Sequence, residues 1–184
     1  MARQDVPYDG YQFRCEYRYS VQQWLAAQDF ELFVSLSLPQ NAGLQRGRVL
    51  LRHWFACLDS FYLGKGWAQR PFDERTVAIA FPENITSNLH YHCLLRLPTK
   101  ARRETLAQRS SQLQKLWVKA VPRGTCEVRS IHDAGAARYV TKQLVRPGYN
   151  QHFILASEFH SVRGSLMGSR SADERRTAVA MRIG

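Results

Sequence analysis

NLHYHCLLRL, residues 88–97, has the alternating pattern of a β-strand with two unlike faces. Side chains alternate across a strand, so one face is wholly apolar and consists of Leu89, Tyr91, Cys93, Leu95 and Leu97. The other face carries Asn88, His90, His92, Leu94 and Arg96. The rise of a strand puts the Cα atoms of His90 and His92 about 7 Å apart, so both imidazoles can point at one divalent ion. Two surface histidines on a half-exposed strand fit the same spacing, so this segment alone leaves both interpretations open.

The sequence on either side predicts further strands and helices. Hydrophobic periodicity predicts strands at 31–38, 76–81, 125–131 and 152–159, and helices at 44–62, 100–120 and 134–146. This order predicts an α+β fold with a mostly antiparallel central sheet, helices packed on one face and the metal and tyrosine site on the other. We divide the chain into an aromatic and basic N-terminal lead-in at 1–30, one compact domain at 31–160, and a Gly/Ser-rich tail or linker at 161–184.

Composition indicates a soluble, nucleic-acid-binding protein. The 184 residues carry a formal net charge of +11, which favours a polyanionic partner. No apolar run is long enough to span a bilayer, and residues 1–10 lack an apolar signal region. We therefore expect no membrane partner and a cytoplasmic location. No G-x-x-x-x-G-K-[ST] phosphate loop occurs, so the chain encodes no ATP-driven motor.

The predicted helix at 134–146 carries a candidate nucleophile. Asp133 is a plausible N-cap. At helical spacing, Ala137, Val140, Thr141 and Leu144 form a stripe that we expect to pack on the sheet, whereas Gly135, Tyr139, Lys142, Gln143 and Arg146 lie on the opposite side. A tyrosine can act as a covalent nucleophile. Its phenol has an ordinary pKa near 10, so positive charge from Lys142 would help it. A surface tyrosine on a basic helix is the alternative.

Together the two segments resemble a known superfamily. His90-Tyr91-His92 followed by Tyr139-Val140-Thr141-Lys142 resembles the HUH endonucleases, in particular single-tyrosine rolling-circle replication initiators (Rep proteins), and FVSLSL at 33–38 is similar to that family's first motif. The resemblance covers about 31–146. It implies site-specific nicking and rejoining of single-stranded DNA through a covalent 5′-phosphotyrosine, during replication of a plasmid, phage or mobile element. It also implies Mg²⁺ or Mn²⁺ as cofactor, a single-stranded or extruded hairpin origin as substrate, and a host helicase as a candidate partner.

Two residues compete to be the third metal ligand. Glu83 lies seven residues before His90, where proteins resembling Rep usually carry an acid. Gln143 lies four residues after Tyr139, as in single-tyrosine HUH transposases. We favour Glu83 because a carboxylate suits Mg²⁺ better than an amide does. Glu83 shares strand parity with Phe81, which we place on the apolar side, and we expect Pro82 to break that register.

The remaining DNA-contact candidates are basic or hydroxyl side chains. They are Ser35, Ser37 and Arg96 on the site face of their strands, Arg102 and Arg103 on the basic helix, and Arg146. Three alternative functions remain open: a single-tyrosine HUH transposase, a non-catalytic nucleic-acid-binding domain, and a metal-dependent enzyme of another kind in which Tyr139 is incidental.

Overall fold

A five-stranded antiparallel sheet forms the centre of the protein, with strand order β4-β1-β3-β2-β5. A computed structural model describes residues 10–159; the predicted tail at 161–184 lies outside the described residues. The elements are α1 (Gly10–Ala26), β1 (Leu32–Ser37), α2 (Leu44–Leu63), β2 (Val77–Glu83), β3 (His90–Arg96), α3 (Leu106–Ala120), β4 (Cys126–Ser130), α4 (Gly135–Val140) and β5 (Ile154–Leu155). The predicted α+β class is confirmed. No helix among residues 10–159 is long and apolar enough to cross a membrane.

The larger core lies between α2, α3 and one face of the sheet. The alternation predicted for the two central strands is confirmed, because Leu32, Val34 and Leu36 of β1 and Tyr91, Cys93 and Leu95 of β3 are all fully buried. Against them pack Trp54 of α2 and Trp117 of α3, whose rings meet edge to face at 5.7 Å. Burying each such side chain contributes roughly 1.5–3 kcal/mol, so this layer anchors the sheet.

The opposite face of the sheet has a second, smaller core, whereas we expected helices on one face and the metal and tyrosine site on the other. Val21 and Leu25 of α1 and Val140 of α4 pack there, together with Ile79 and Phe81 of β2. Helices therefore cover both faces of the sheet rather than one. The physical reason is that the site face carries Ile79, Phe81 and Leu94 as well as the two histidines, and this apolar area is buried by α1 and α4. Placing Phe81 on the Tyr91 side was wrong, since Phe81 pairs with His92 and shares its face.

Helix α1 occupies part of the segment that we described only as a lead-in. Its side chains bond to the 134–146 segment: Arg14 Nε donates to the Val145 carbonyl at 2.7 Å, and Gln22 Nε2 donates to Thr141 Oγ1 at 3.0 Å. The helix thus packs beside the segment that carries Tyr139, and its buried residues belong to the second core.

Three predicted elements are shorter or more broken than expected. The helix predicted at 134–146 is α4 followed by a 3-10 turn at Lys142–Val145. Thr141 Oγ1 donates to the Ala137 carbonyl at 2.8 Å, a side-chain bond that competes with helix propagation. The helix predicted at 100–120 is a 3-10 turn at Thr99–Arg103 followed by α3, which a capping box at Thr105 starts. The last strand shrinks to Ile154–Leu155.

Candidate metal centre and tyrosine

Three side chains converge at one end of the β2–β3 pair. Glu83 Oε2 lies 2.7 Å from His92 Nε2 and 3.2 Å from His90 Nε2. One ligand atom from each residue lies within 4.8 Å of the others, and within residues 10–159 this is the single group of three such side chains that could hold a metal ion. The structure thus brings both predicted histidines together with the favoured acid.

Strand register places Glu83 at this point. β2 and β3 pair without interruption from Val77 opposite Arg96 to Glu83 opposite His90. Our expectation that Pro82 breaks the register was wrong. A proline can stay in the ladder where its missing N–H is not required, and parity then puts Glu83 on the same face as Phe81, which is the face of His90 and His92.

Each imidazole is held at the nitrogen that points away from Glu83. His90 Nδ1 lies 3.2 Å from the Asn88 carbonyl oxygen, and His92 Nδ1 lies 3.0 Å from Ser35 Oγ. An imidazole with its proton on Nδ1 can donate to the Asn88 carbonyl or to Ser35 Oγ, since both oxygens can accept. When an ion replaces the contacts of the Nε2 atoms with Glu83, this arrangement leaves both Nε2 lone pairs facing the centre of the cluster, as metal binding requires.

The local charges suit a divalent cation. Burial alone would raise the pKa of Glu83, but hydrogen bonds from Lys142 and His92 outweigh it and lower that pKa to about 2. Burial also lowers the pKa of His92, although Glu83 opposes the shift. Burial would lower the pKa of Lys142 too, yet Glu83 and Tyr139 raise it. At neutral pH the site therefore presents a carboxylate, a neutral His92 and an ammonium group, and the first two are forms that bind metal.

Tyr139 stands beside the cluster with its ring partly open to solvent. Its ring centroid lies 4.9 Å from that of His92, nearly perpendicular to it, and 5.6 Å from that of Phe33. Lys142 Nζ lies 4.0 Å from the Tyr139 ring centroid. With 46% of the residue exposed, Tyr139 is accessible to a polymer substrate while remaining next to a histidine of the cluster and a cation.

Gln143, the competing third ligand, contacts Glu83. Its Nε2 donates to Glu83 Oε1 at 3.1 Å, and Lys142 Nζ donates to the same oxygen at 2.8 Å. These two bonds hold one carboxylate oxygen, which leaves Oε2 directed at the imidazoles. This geometry favours Glu83 as a ligand and Gln143 as the residue that positions it.

A groove of about 590 Å³ opens beside the cluster. Its walls include Phe33, Ser35, His92 and Tyr139, and it continues along the edge strand β4 past Arg129. The residues of the β4 wall are not among the predicted site residues. Alternation on the predicted strand at 125–131 could have placed Thr125, Glu127 and Arg129 on one face. Pairing with β1 shows that this is the site face.

Both predicted serines line this groove, but their hydroxyl groups are engaged. Ser35 bonds to His92, and Ser37 Oγ accepts from the Thr125 backbone N–H at 2.7 Å and from its hydroxyl at 2.8 Å. Ser35 therefore supports a histidine of the cluster, whereas we expected it to contact DNA. Strand parity placed Ser35 on the His92 face, but only the pairing of Ser35 with His92 makes them neighbours.

The predicted basic contacts are spread over the molecule. Arg96 lies at the far end of β3 from His90, where it pairs with Asp29 at 3.1 Å. Arg102 pairs with Glu31 at 3.6 Å, and Arg103 is exposed nearby on the same turn. Glu31 precedes β1, about 20 Å along the strand direction from Ser37. Arg146 is exposed after the 3-10 turn that carries Lys142. None of these four arginines joins the cluster.

Comparison with known proteins gives no relative: no protein-family model, curated protein or solved structure matches this chain. Its function is therefore argued from the residues and geometry described above.

Proposed function

We propose that this protein is a metal-dependent enzyme that nicks and rejoins single-stranded DNA through Tyr139. The observation that supports it is the convergence of Glu83, His90 and His92 next to a solvent-accessible tyrosine, 4.9 Å between the His92 and Tyr139 rings. Either feature alone has an ordinary structural explanation. A carboxylate and two imidazoles with a nucleophile beside them match the requirements of phosphoryl transfer.

The donor set fits a divalent cation. Glu83 and the Nε2 atoms of His90 and His92 would hold the ion, and the hard carboxylate oxygen favours Mg²⁺ or Mn²⁺. When bound, the ion would supply Lewis-acid polarisation of a phosphate oxygen. Lys142 and Gln143 fix Glu83 from behind, and Ser35 and the Asn88 carbonyl fix the two imidazoles.

Tyr139 would act as the nucleophile. The phenol gives up its proton to solvent and its oxygen attacks the phosphorus, the bond from phosphorus to the 3′ oxygen breaks, and the 3′ oxygen takes up a proton from solvent and departs as a free 3′-OH. The 5′ phosphate stays joined to Tyr139, so a 3′-OH can reverse the reaction and rejoin the strands without added energy. Lys142 lies over the Tyr139 ring, where its charge stabilises the phenolate that attacks.

The groove suits an unpaired strand. It runs along the sheet surface beside the cluster, with Phe33 and Tyr139 offering aromatic surface and Arg129 a cation. Aromatic surface next to positive charge is the usual means of holding single-stranded nucleic acid. We infer a replication role for a plasmid, phage or mobile element from the resemblance of both motifs to Rep proteins, and we place the activity inside the cell with its DNA substrate.

The deciding experiment detects the covalent intermediate. The protein is incubated with a pool of random 5′- and 3′-labelled single-stranded oligonucleotides and Mn²⁺, then resolved on a denaturing gel. We expect an adduct that retains the label 3′ of the cut, that Tyr139→Phe abolishes and that EDTA prevents. Tyr149→Phe is the matched control and should keep the adduct. Single-stranded DNA binding without any adduct would instead indicate a non-catalytic nucleic-acid-binding domain.

A further inference from the structure

A dense group of exposed basic residues lies on the face of the molecule opposite the metal cluster. α2 and α3 cover the sheet face that carries Tyr91 and Cys93, whereas His90, His92 and Tyr139 belong to the other face. We define the basic helical layer as the outer surface of α2, the turn at Thr99–Arg103 and α3. Its exposed cations are Arg46, Arg52, Lys100, Arg103, Lys115 and Lys119.

Almost no acid offsets this charge. Segments 44–63 and 99–120 contain nine basic residues and two acidic ones. Asp59 is fully buried and binds Arg75 at 3.0 Å and the Thr76 N–H at 2.7 Å, and Glu104 accepts a bond from Tyr62 at 3.0 Å. Both acids are thus engaged in holding the fold together, and neither pairs with an exposed cation of the layer.

The six exposed cations are distinct from the basic residues that serve the fold. Arg48 pairs with Glu158, and Arg102 and Arg109 pair with Glu31. In contrast, no ion pair within residues 10–159 involves Arg46, Arg52, Lys100, Arg103, Lys115 or Lys119. Six like charges that form no ion pair in the described part of the chain raise the electrostatic self-energy of the folded protein, a cost that binding a polyanion removes.

The two helices form one continuous surface. Trp54 Nε1 of α2 donates to the Leu113 carbonyl of α3 at 3.3 Å, and Phe61 of α2 and Lys115 of α3 line the same shallow groove. α2 has 20 residues, so the surface extends about 30 Å at the helical rise. That length matches several phosphates along a nucleic-acid backbone.

We propose that the basic helical layer binds the phosphate backbone of duplex DNA, separately from the groove that holds the cut strand. Single-stranded DNA is held by aromatic stacking together with charge, and that combination occurs at the groove. The layer offers these six exposed cations and one exposed aromatic ring, Phe61, within residues 44–63 and 99–120, so charge outweighs stacking surface there, which suits backbone contacts to a duplex without base reading. This inference takes DNA as the polyanion from the proposed function, but binding at the layer does not require that Tyr139 cleaves.

The test compares charge reversal on the two faces of the full-length protein. Lys115→Glu with Lys119→Glu alters two exposed residues of α3. Arg129→Glu with Arg138→Glu makes the same charge change on exposed residues of the site side. Circular dichroism verifies that both variants fold. Affinity for a blunt 20-base-pair duplex is measured by fluorescence anisotropy at several salt concentrations, and adduct formation is measured with a short single-stranded oligonucleotide.

We expect the α3 variant to bind the duplex at least tenfold more weakly than the wild type, with the slope of log affinity against log salt reduced by about 1.8 for two lost phosphate contacts. The site-side variant should bind the duplex within about threefold of the wild type. Equal weakening by both variants, or duplex binding that the α3 change leaves intact, would overturn the proposal. If the α3 variant alone loses duplex binding and the wild type forms no adduct, the result supports duplex binding by the basic helical layer and rejects the proposed cleavage.

Discussion

Ser35 Oγ lies 3.0 Å from Nδ1 of His92, on the opposite side of the imidazole from Glu83. The two residues are direct partners in the β1–β3 ladder, so the neighbouring strand, rather than the strand that carries the histidine, orients its ring. His92 is 7% exposed, and water has little access to Nδ1. Because its hydroxyl can accept as well as donate, Ser35 can support the tautomer that metal binding needs, in which Nδ1 carries the proton and Nε2 has a free lone pair.

Ser35→Ala should weaken metal binding. Losing the hydrogen bond frees the ring to rotate and to adopt the other tautomer, and changes of this kind reduce metal affinity by about 10–100-fold. Isothermal titration with Mn²⁺ measures the effect. Ser37→Ala is the matched control, since Ser37 lies on the same strand face but bonds to Thr125, and its affinity should stay near wild type. Equal Mn²⁺ affinity in the two variants would contradict the role assigned to Ser35.

The ligand assignment predicts different titration curves for Glu83 and Gln143 variants. Glu83→Ala should reduce Mn²⁺ affinity at least tenfold, because it removes the anionic ligand. Gln143→Ala should reduce Mn²⁺ affinity much less, because Lys142 still holds Glu83 Oε1. Its main effect should be slower cleavage. A larger shift for Gln143→Ala than for Glu83→Ala would assign Gln143 as the ligand, the arrangement of single-tyrosine transposases.

Both histidines should be essential for cleavage. His90→Ala or His92→Ala removes a metal-binding nitrogen, so each variant should lose adduct formation, and EDTA should produce the same loss in the wild type. The matched control is His132→Ala, which changes an exposed histidine that lines the groove outside the three-residue cluster. Adduct formation by either His90→Ala or His92→Ala at the wild-type rate would exclude the three-ligand site.

Lys142 is expected to act on the chemistry at Tyr139. Its ammonium group lies 4.0 Å from the ring centroid, and removing a charge that stabilises a reacting oxygen typically lowers the rate by about 10²–10³. Lys142→Gln should therefore slow adduct formation by about that factor at saturating Mn²⁺. Lys142→Arg should retain much of the rate, because it keeps the charge. A Lys142→Gln rate within threefold of the wild type would remove Lys142 from the mechanism.

In EDTA, which keeps the site free of metal, the free energy of unfolding should depend on pH in two separate ranges. Burial lowers the pKa of His92 below the ordinary value of 6.5, despite the opposing effect of Glu83. As the pH falls, His92 is therefore protonated in the unfolded chain before it is protonated in the folded protein. The free energy of unfolding should decrease as pH falls below 6.5. For Glu83, burial opposes the shift, but Lys142 and His92 lower the pKa from 4.5 to about 2. Its stabilising contribution should be complete above pH 4.5 and lost between 4.5 and 2.

Urea unfolding measured from pH 8 to pH 3 in EDTA tests both windows. His92→Gln should flatten the decrease between pH 6.5 and 5, and Glu83→Gln should flatten the decrease below 4.5. A wild-type free energy of unfolding that rises as pH falls from 6.5 to 5, with the rise absent in His92→Gln, would show that the pKa of His92 is raised and would contradict its assignment as neutral at pH 7.

Local periodicity was sufficient to predict much of the fold. Side chains alternate along a strand whatever surrounds it. The sequence alone therefore predicted that His90 and His92 lie on the opposite face from Tyr91 and Cys93, which are buried. Helical spacing likewise identified Ala137, Val140, Thr141 and Leu144 as a packed stripe, and all four are buried. Helix α1 was missed because its aromatic and arginine-rich sequence has only a weak apolar stripe, and its few buried residues are Val21 and Leu25.

By itself, the sequence determined the order of strands and helices after residue 31, the shared face of the two histidines, and the presence of a tyrosine and a lysine on one side of the 134–146 segment. Only the tertiary structure decided that Glu83 faces those histidines, because this depends on the register between β2 and β3 and not on local spacing. It also decided that the basic residues of α3 lie on the opposite face from the cluster. That placement follows from which side of the sheet buries Trp117, a choice fixed by packing between segments far apart in the chain.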